Sequence, residues 1–432
     1  MMWRMAFRNL FRNKRRTMAT GAAVIAGFVG LILLGGYIFY VEKGLRANAV
    51  YLLNKGHISI FKKEGLQKYA TKRSFYEIKP EEQKVILEHL KKYENNIEWT
   101  GHAITGSGLI SNGEKSVPFM ATGVDLLTLE KSLNHPQVKK WAHDFLTKDA
   151  ADFVQAIKSD PLSISITARL GELIDRKTPF SQLPEEKRNV QLAGMDVYGD
   201  LNAVDADLST SYSTGSELLE DAGMLAPYEL LQKLYNTDGA YYMMVYLKDD
   251  GHLSRTVANL NHDFEKDNLP FQAYPFNDPA ISPNYVGSMG FLYAMAGFFV
   301  FLICGAVALS IVNSLTMGIL ERTREIGTLR AIGFQPQQIS WMMTQESLWL
   351  CFLSSLFGIV LAWMISVVVN LAHFTFSPPG VAVAVQFRLS VNPTLAVMIT
   401  ALLLALVGTT SFIVTRFKMK MKVVELLSDS GA

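Results

Sequence analysis

Four stretches of this chain carry no Asp, Glu, Lys or Arg: residues 17–41, 279–320, 347–387 and 389–415. Each contains a run long enough to cross ~30 Å of hydrocarbon, which takes about 20 helical residues. An ionised side chain at mid-bilayer costs roughly 2.5 to 3.5 kcal/mol on insertion scales, so uncharged runs of this length carry information. A buried helix of a soluble protein usually shows a polar face. Val24–Tyr40 has none, and the pattern predicts four transmembrane helices, over 17–41, 285–315, 341–371 and 393–415. The second uncharged stretch is too long for one bilayer. From Pro283 to Ser314 it would extend ~48 Å as a continuous helix, enough for a stalk beyond the membrane. Gly287, Gly290 and Gly297 on it leave room for close helix contact or for bending.

Between the first two spans lie more than half the residues, 42–284, with the patterning of a mixed α/β domain. "HISIFKK" and "AYYMMVYLKD" alternate or concentrate β-formers, and "ISNGEKSVPFMATGVD" reads as a hairpin turned at Asn112-Gly113. "KPEEQKVILEHLKKY" opens on Pro80 with acids in its first turn and closes on Lys91 and Lys92, as a helix does. "HLSRTVANLNHDFEKDNL" is a second helix. The middle, about 126–226, is richer in Ser, Asp and Gly and reads as an inserted lobe, helical over 131–158 and strand and turn over 189–215. The fold class expected is therefore membrane α-helical, with four transmembrane helices and a large mixed α/β extracytoplasmic domain between helices 1 and 2. A short 372–392 loop joins helices 3 and 4.

Charge sets the orientation. Residues 1–16 hold six Lys or Arg and no acid, and 416–422 add four more, which places both termini in the cytoplasm by the positive-inside rule. Trp3 and Phe7 recur at helical spacing with Ala6, Leu10 and Phe11, while Arg4, Arg8, Arg12 and Arg15 fall on the other side. That pattern describes an amphipathic helix over 1–16 lying in the membrane interface, arginines toward lipid phosphates. The same basic start followed by an apolar run could open a secretory signal, but the run is too long and leads to no small-residue cleavage site. Both cysteines, Cys304 and Cys351, fall inside spans, so no disulfide framework is expected.

The segment 316–340, between spans 2 and 3, is the most informative. "ERTREIGTLR" puts five charges into ten residues. Ile326, Leu329 and Ile332 or Gly333 recur at helical spacing, with Arg322, Arg324, Glu325 and Arg330 on the remaining surface. Gly333 supplies a left-handed stop, and Pro336 then takes a first helical position behind Gln335. Helix, break and helix are encoded on the cytoplasmic side, where a crosswise amphipathic helix can dock another protein.

Several chemistries find no support. There is no Gly-Lys dipeptide, hence no phosphate-cradling P-loop, and no H-E-x-x-H or C-x-x-C. Ser107 and Ser288 miss the nucleophile-elbow pattern. The span interiors hold no ionisable relay, and the net charge of +2 gives no reason to expect a nucleic acid. The chain reads as no enzyme and as binding no cofactor or metal of its own.

"ALSIVNSLTMGILERTREIGTLRAIGFQPQQISWMMTQESLWL" resembles the signature of the MacB/FtsX/LolC-type ABC transporter permeases, with T-R-E-I-G-x-L-R-A-I-G at 323–333. "WRMAFRNLFRNKRRT" is similar to the family's amino-terminal motif. "FMATGVD" and "TSYSTGSELLEDAGMLAPYELLQKLY" resemble parts of its outer domain, the latter closest to the lipoprotein-releasing LolC/LolE-like branch. The tail lacks the family's usual proline and alanine-arginine run, and the middle lobe matches poorly.

The resemblance implies a multi-pass permease of the bacterial inner (plasma) membrane that works by mechanotransmission. Its partners would be a cytoplasmic ABC ATPase dimer, which supplies ATP and Mg, a second permease subunit of the same or a sister chain, membrane lipids, and an extracytoplasmic substrate such as a lipoprotein. Glu321, Arg322, Arg324, Glu325, Gly327, Arg330 and Gly333 would form the ATPase-coupling helix and its turn. Two other readings share these cytoplasmic features: a peptide or drug efflux permease working with a periplasmic adaptor and channel, and a non-transporting regulator of a cell-wall hydrolase. An apolar groove for the lipid-anchored substrate could include Tyr241-Tyr242-Met243-Met244, although a β-core is the stronger reading of those residues.

Overall fold

The computed structural model describes residues 14–146, 150–377 and 381–419, and the side chains of 14–16, 150 and 151 are not among them. Two compact units are present. One comprises residues up to Tyr40 with Gly290–Phe374 and Phe387 onward, and the other comprises Val41–Met289 with Thr375–Gln386.

The first unit is built from apolar helices. Among the described residues four helices are long and apolar enough to cross a membrane: Lys14–Ala47, Pro283–Glu321, Pro336–Leu371 and Pro393–Lys418. The second has 39 residues and exceeds even the expected stalk, reaching about 58 Å at 1.5 Å per residue. Val24, Phe28 and Ile32 of the first helix pack with Val307 and Ile311 of the second, Cys351 and Ala362 of the third, and Leu403 and Val407 of the fourth. Close approach depends on glycine in two places. A Cβ on Gly36 would lie 2.5 Å from the Ser390 carbonyl oxygen, and one on Gly358 would lie 2.5 Å from the Phe28 ring. Gly287, Gly290 and Gly297 face open space within this chain. The fourth helix starts as its sequence requires: Pro393 occupies the first turn, and Asn392 Oδ1 accepts the Thr394 N–H at 2.9 Å.

The second unit is the mixed α/β domain. The strands of its main sheet are β1 (Ile58–Lys62), β2 (Ile97–Ser111), β3 (Ser116–Val124), β4 (Ser163–Thr167), β5 (Asn189–Met195), β6 (Leu201–Tyr212), β7 (Gly223–Pro227), β8 (Tyr242–Leu247) and β9 (Phe271–Pro275). They form one sheet in the order β3-β7-β4-β6-β5-β2-β8-β1-β9, and β2 also pairs with β3. That extra pairing closes the first six strands into a ring. Asn112-Gly113 turns the β2–β3 hairpin, with Asn112 Oδ1 accepting from the Glu114 and Lys115 amides and Gly113 at φ +91°.

β2 is long because it serves two cores. Up to Ala103 it packs with β8, β1 and β9 around Ile58, Ile60, Tyr242 and Tyr246. From Ile104 onward it belongs to the ring, filled by Phe119, Ile164, Leu192 and Leu208 and by Leu231, Leu234 and Tyr235 of the helix Tyr228–Tyr235. Gly106 is required there, since a Cβ would sit 2.3 Å from the Tyr235 ring. The inserted lobe is thus drawn differently from the expected 126–226. The helices Leu126–Asn134, Pro136–Trp141 and Ala150–Ser159 pack on the first core through Leu129, Val138 and Phe153, whereas the second core runs from Ile104 to Ala121 and from Ile164 to Ala240. The helices Pro80–Leu90 and Leu253–Lys266 form where Pro80 and the apolar spacing place them.

Candidate functional site

The segment between the second and third apolar helices folds as helix, break and helix. Arg322 leaves helical geometry at φ −109°, ψ 18°, and a nine-residue helix then runs Thr323–Ala331. Thr323 Oγ1 donates back to the Ile319 and Leu320 carbonyls at 3.0 and 2.8 Å, which satisfies carbonyls at the end of the preceding helix. Gly333 adopts φ +103°, the left-handed conformation that ends the helix at little cost only for glycine. The Gln335 N–H then donates to Gln338 Oε1 at 3.0 Å and Pro336 opens the third apolar helix.

One face of the short helix is held from beneath. Ile326 is buried in a cluster with Ile319, Ile339, Met343 and Met419, and Leu329 packs against its edge. Gly327 is also buried. Arg322 Nη1 lies 3.1 Å from Glu346 Oε2, with the two side chains only 11% and 13% exposed. This pair ties the start of the segment to the third helix. Arg322 and Gly327 therefore point into the protein and shape the segment, while Glu321, Arg324 and Glu325 lie on its exposed side and Arg330 is half-buried. Thr328 Oγ1 donates to the Arg324 carbonyl, and Arg324 makes no ion pair among the described residues.

The apolar phase differs from the sequence expectation at one residue. The spacing extends the inner face from Ile326 and Leu329 to Ile332 or Gly333, yet Ile332 is 72% exposed, two residues from the exposed ring of Phe334. The helix ends at Ala331, so the 3.6-residue period no longer governs position 332. Sequence reasoning missed both Ile332 and Phe334 as surface residues, and missed Glu346 because it stands just outside an uncharged stretch. The available signal was that Glu346 is the single acid in the 337–370 portion of the third helix.

The interfacial residues Trp3, Arg4, Phe7, Arg8 and Arg12 lie outside the described residues. Of the aromatic and Met-rich stretch, Tyr242, Met243 and Met244 are core of β8, at most 2% exposed, so the β-core reading holds for them. Tyr241 instead lines a cavity within the α/β domain. Among the described residues no group of His, Cys, Asp or Glu is arranged to hold a metal ion.

Residues 297–423 match the model of the FtsX-like permease C-terminal domain. That stretch contains the whole helix-break-helix segment. Over 76 residues the chain is 41% identical to the ABC transporter permease YtrF of Bacillus subtilis (strain 168), a match that spans 17% of this chain and 17% of that protein. Among solved structures, similarity extends to the extracellular domain of the noncanonical ABC-type transporter YknZ from Gram-positive bacteria. It has 11% identity and a TM-score of 0.31, and covers 50% of this chain and 98% of that one. The periplasmic region of MacB from Actinobacillus actinomycetemcomitans gives 11% identity and a TM-score of 0.31, covering 51% and 88%.

Proposed function

We propose that this chain is the permease subunit of an ABC transporter, coupling ATP hydrolysis in a separate cytoplasmic ATPase dimer to extracytoplasmic handling of a lipid-anchored or amphiphilic substrate. The observation that carries this reading is the FtsX-like match over 297–423 falling on a braced, charged helix between two long apolar ones. Such a helix transmits force only if its contacts differ between the two states of the partner. Its exposed charges Glu321, Arg324 and Glu325, half-buried Arg330, and the apolar pair Ile332 and Phe334 are suited to that contact. Arg322 serves the same coupling from inside, by bracing the segment on the third helix, Gly327 is buried on the inner face, and Gly333 gives the turn.

In this reading both termini are cytoplasmic, the α/β domain is outside the cytoplasm, and the 39-residue second helix carries movement toward it. A second permease subunit fits the exposure of that helix. Within this chain 11% of its most apolar window is buried, against 39% for the first helix, leaving a face for lipid or another copy. The basic start with Trp3, Arg4, Phe7, Arg8 and Arg12 would rest on lipid headgroups.

The test is affinity purification of the tagged chain from native membranes, followed by the variants Glu325→Lys and Ile332→Asp. The expected result is co-purification of an ATPase, with both variants inserting normally and retaining at most a tenth of it, since a buried charge at an interface costs ~2 kcal/mol or more. No ATPase, or full retention by both variants, would overturn the coupling assignment. An ATPase recovered with a cell-wall hydrolase or an outer-membrane channel would replace the substrate with the regulatory or efflux reading.

A further inference from the structure

A cavity of about 500 Å³ opens within the α/β domain, in the ~300–1,000 Å³ range of small-molecule sites. Its walls include Leu66, Met120, Leu219 and Ile281 with the rings of Tyr69 and Tyr241. Two cationic side chains line it, Lys55 and Arg73, and no Asp or Glu does. Arg73 is engaged: Nη1 donates to the Met195 carbonyl at 2.7 Å, and the guanidinium lies 5.2 Å from the centre of the Tyr235 ring. Lys55 has the ring contact alone: its ammonium sits 5.2 Å from the centre of the Tyr242 ring, with no carboxylate and no hydrogen-bond acceptor among the described residues.

Two further polar groups that line the cavity are left without partners among the described residues: Asn48 and Ser282 are each 6% exposed, and Asn48 Oδ1 and Ser282 Oγ make no hydrogen bond there. A buried polar group with no partner costs roughly 1–3 kcal/mol, and an unpaired cation costs more. A ligand bearing an anionic head would satisfy the Lys55 ammonium and the Ser282 hydroxyl together, since both donate. Burial alone already pushes the Lys55 ammonium down to about 8 from its ordinary value, so an anion placed beside it would gain the charge interaction that the protein withholds.

We infer that this cavity binds an anionic amphiphile, its carboxylate or phosphate head on Lys55 with the Ser282 hydroxyl beside it, and its apolar chain along the Leu66–Met120–Leu219 wall. This deepens the amphiphilic-substrate reading above and rests on it. The ammonium sets head charge, and the lining sets the preference for an acyl chain over a small polar anion.

The full chain in phosphatidylcholine nanodiscs is photolabelled with a diazirine-bearing dodecanoate and the modified peptides are mapped by mass spectrometry. Labels are expected on the peptides containing Leu66 and Met120, competed by dodecanoate and not by dodecanol. Lys55→Met should reduce labelling about tenfold or more, the equivalent of ~1.4 kcal/mol, while Lys55→Arg retains most of it. Raising the pH from 7 to about 9 should weaken labelling of the parent chain, because Lys55 then loses its proton. Stronger competition by dodecyl phosphate than by dodecanoate would assign the head to a phosphate such as a lipid headgroup's, and the reverse to a free carboxylate. An unchanged or raised thermal midpoint for Lys55→Met shows that the fold is intact. Equal labelling by a diazirine dodecanol, or labelling indifferent to Lys55→Met, would overturn the site. Because no ATPase takes part, loss of this site and loss of the coupling assignment are separate outcomes.

Discussion

The Arg322–Glu346 pair gives the sharpest test of how the charged segment is held. At 3.1 Å and an effective dielectric constant of ~20, the Coulomb attraction is about 5 kcal/mol before desolvation is subtracted. Removing one partner of a buried pair costs ~3–5 kcal/mol, because the other charge is stranded. Here 11% and 13% of the side chains remain exposed, so some water reaches the stranded group and about 2–3 kcal/mol is the appropriate expectation. Arg322 Nη2 is already buried without an acceptor, which leaves little alternative bonding for the guanidinium once the carboxylate is gone. Glu346→Gln should therefore loosen the helix Thr323–Ala331, lowering hydrogen-exchange protection of its amides about 30-fold or more, the equivalent of ~2 kcal/mol. Arg322→Met combined with Glu346→Leu should recover most of that protection, since an apolar pair strands no charge. The assay is exchange mass spectrometry on the full chain in nanodiscs, comparing the single with the double. A Glu346→Gln change below about threefold, or a double variant as labile as the single, would refute the bracing role.

Four further outcomes follow from close contacts and buried charge. Gly36→Ala should lower the thermal midpoint, at a cost of ~1–3 kcal/mol, because the Ser390 carbonyl 2.5 Å away is backbone and cannot swing aside. Gly297→Ala faces nothing within 4 Å and should be neutral or stabilising by up to ~1 kcal/mol in the same melt. Gly106→Ala should be destabilising by a similar 1–3 kcal/mol through the Tyr235 ring, and Tyr235→Leu should relieve part of it, as read by the double-variant midpoint. His57 is held neutral: burial first, then the nearby Arg46 and His135 charges, push it down to about 3, and its Nδ1 accepts the Leu247 N–H at 3.0 Å. The unfolded chain binds this proton near the ordinary value of ~6.5 and the folded one does not. Stability is therefore fully present above that value and falls as pH drops toward 3, by about 2 kcal/mol at pH 5. His57→Asn, uncharged, should flatten that part of the pH–melting profile; an unchanged slope would reject the assignment.

How far the sequence reached depends on how many residues share each constraint. A span is set by about 20 side chains facing one solvent, so its signal accumulates, and all four apolar helices lie where the uncharged stretches put them. The hairpin at Asn112-Gly113 and the stop at Gly333 were legible because each needs a backbone conformation that few residues tolerate. Closure of the six-strand ring was not legible. It rests on β3 pairing with both β2 and β7, whose residues are far apart in sequence, and periodicity inside a strand carries no record of its neighbour. The same limit displaced the lobe boundary, since the helices between Leu126 and Ser159 are amphipathic in either assignment and only the tertiary fold decides which core they cover.

The charged segment shows the limit at the scale of single side chains. Nine residues give a clear helix, but its rotation is fixed by the helices on either side, so Arg322, one residue before it, turns inward to Glu346 and Ile332, one residue after it, turns outward. Both departures occur at the ends, where the helical period has not begun or has already stopped. This has a consequence for coupling. A charge inside the helix can be exchanged with little effect on its placement, whereas the two end residues decide where the exposed face points. Variants at Arg322 should thus disturb ATPase association through the shape of the segment, and be rescued by an apolar pair with Glu346→Leu. Variants at Ile332 should disturb it through contact alone, with no rescue from within this chain.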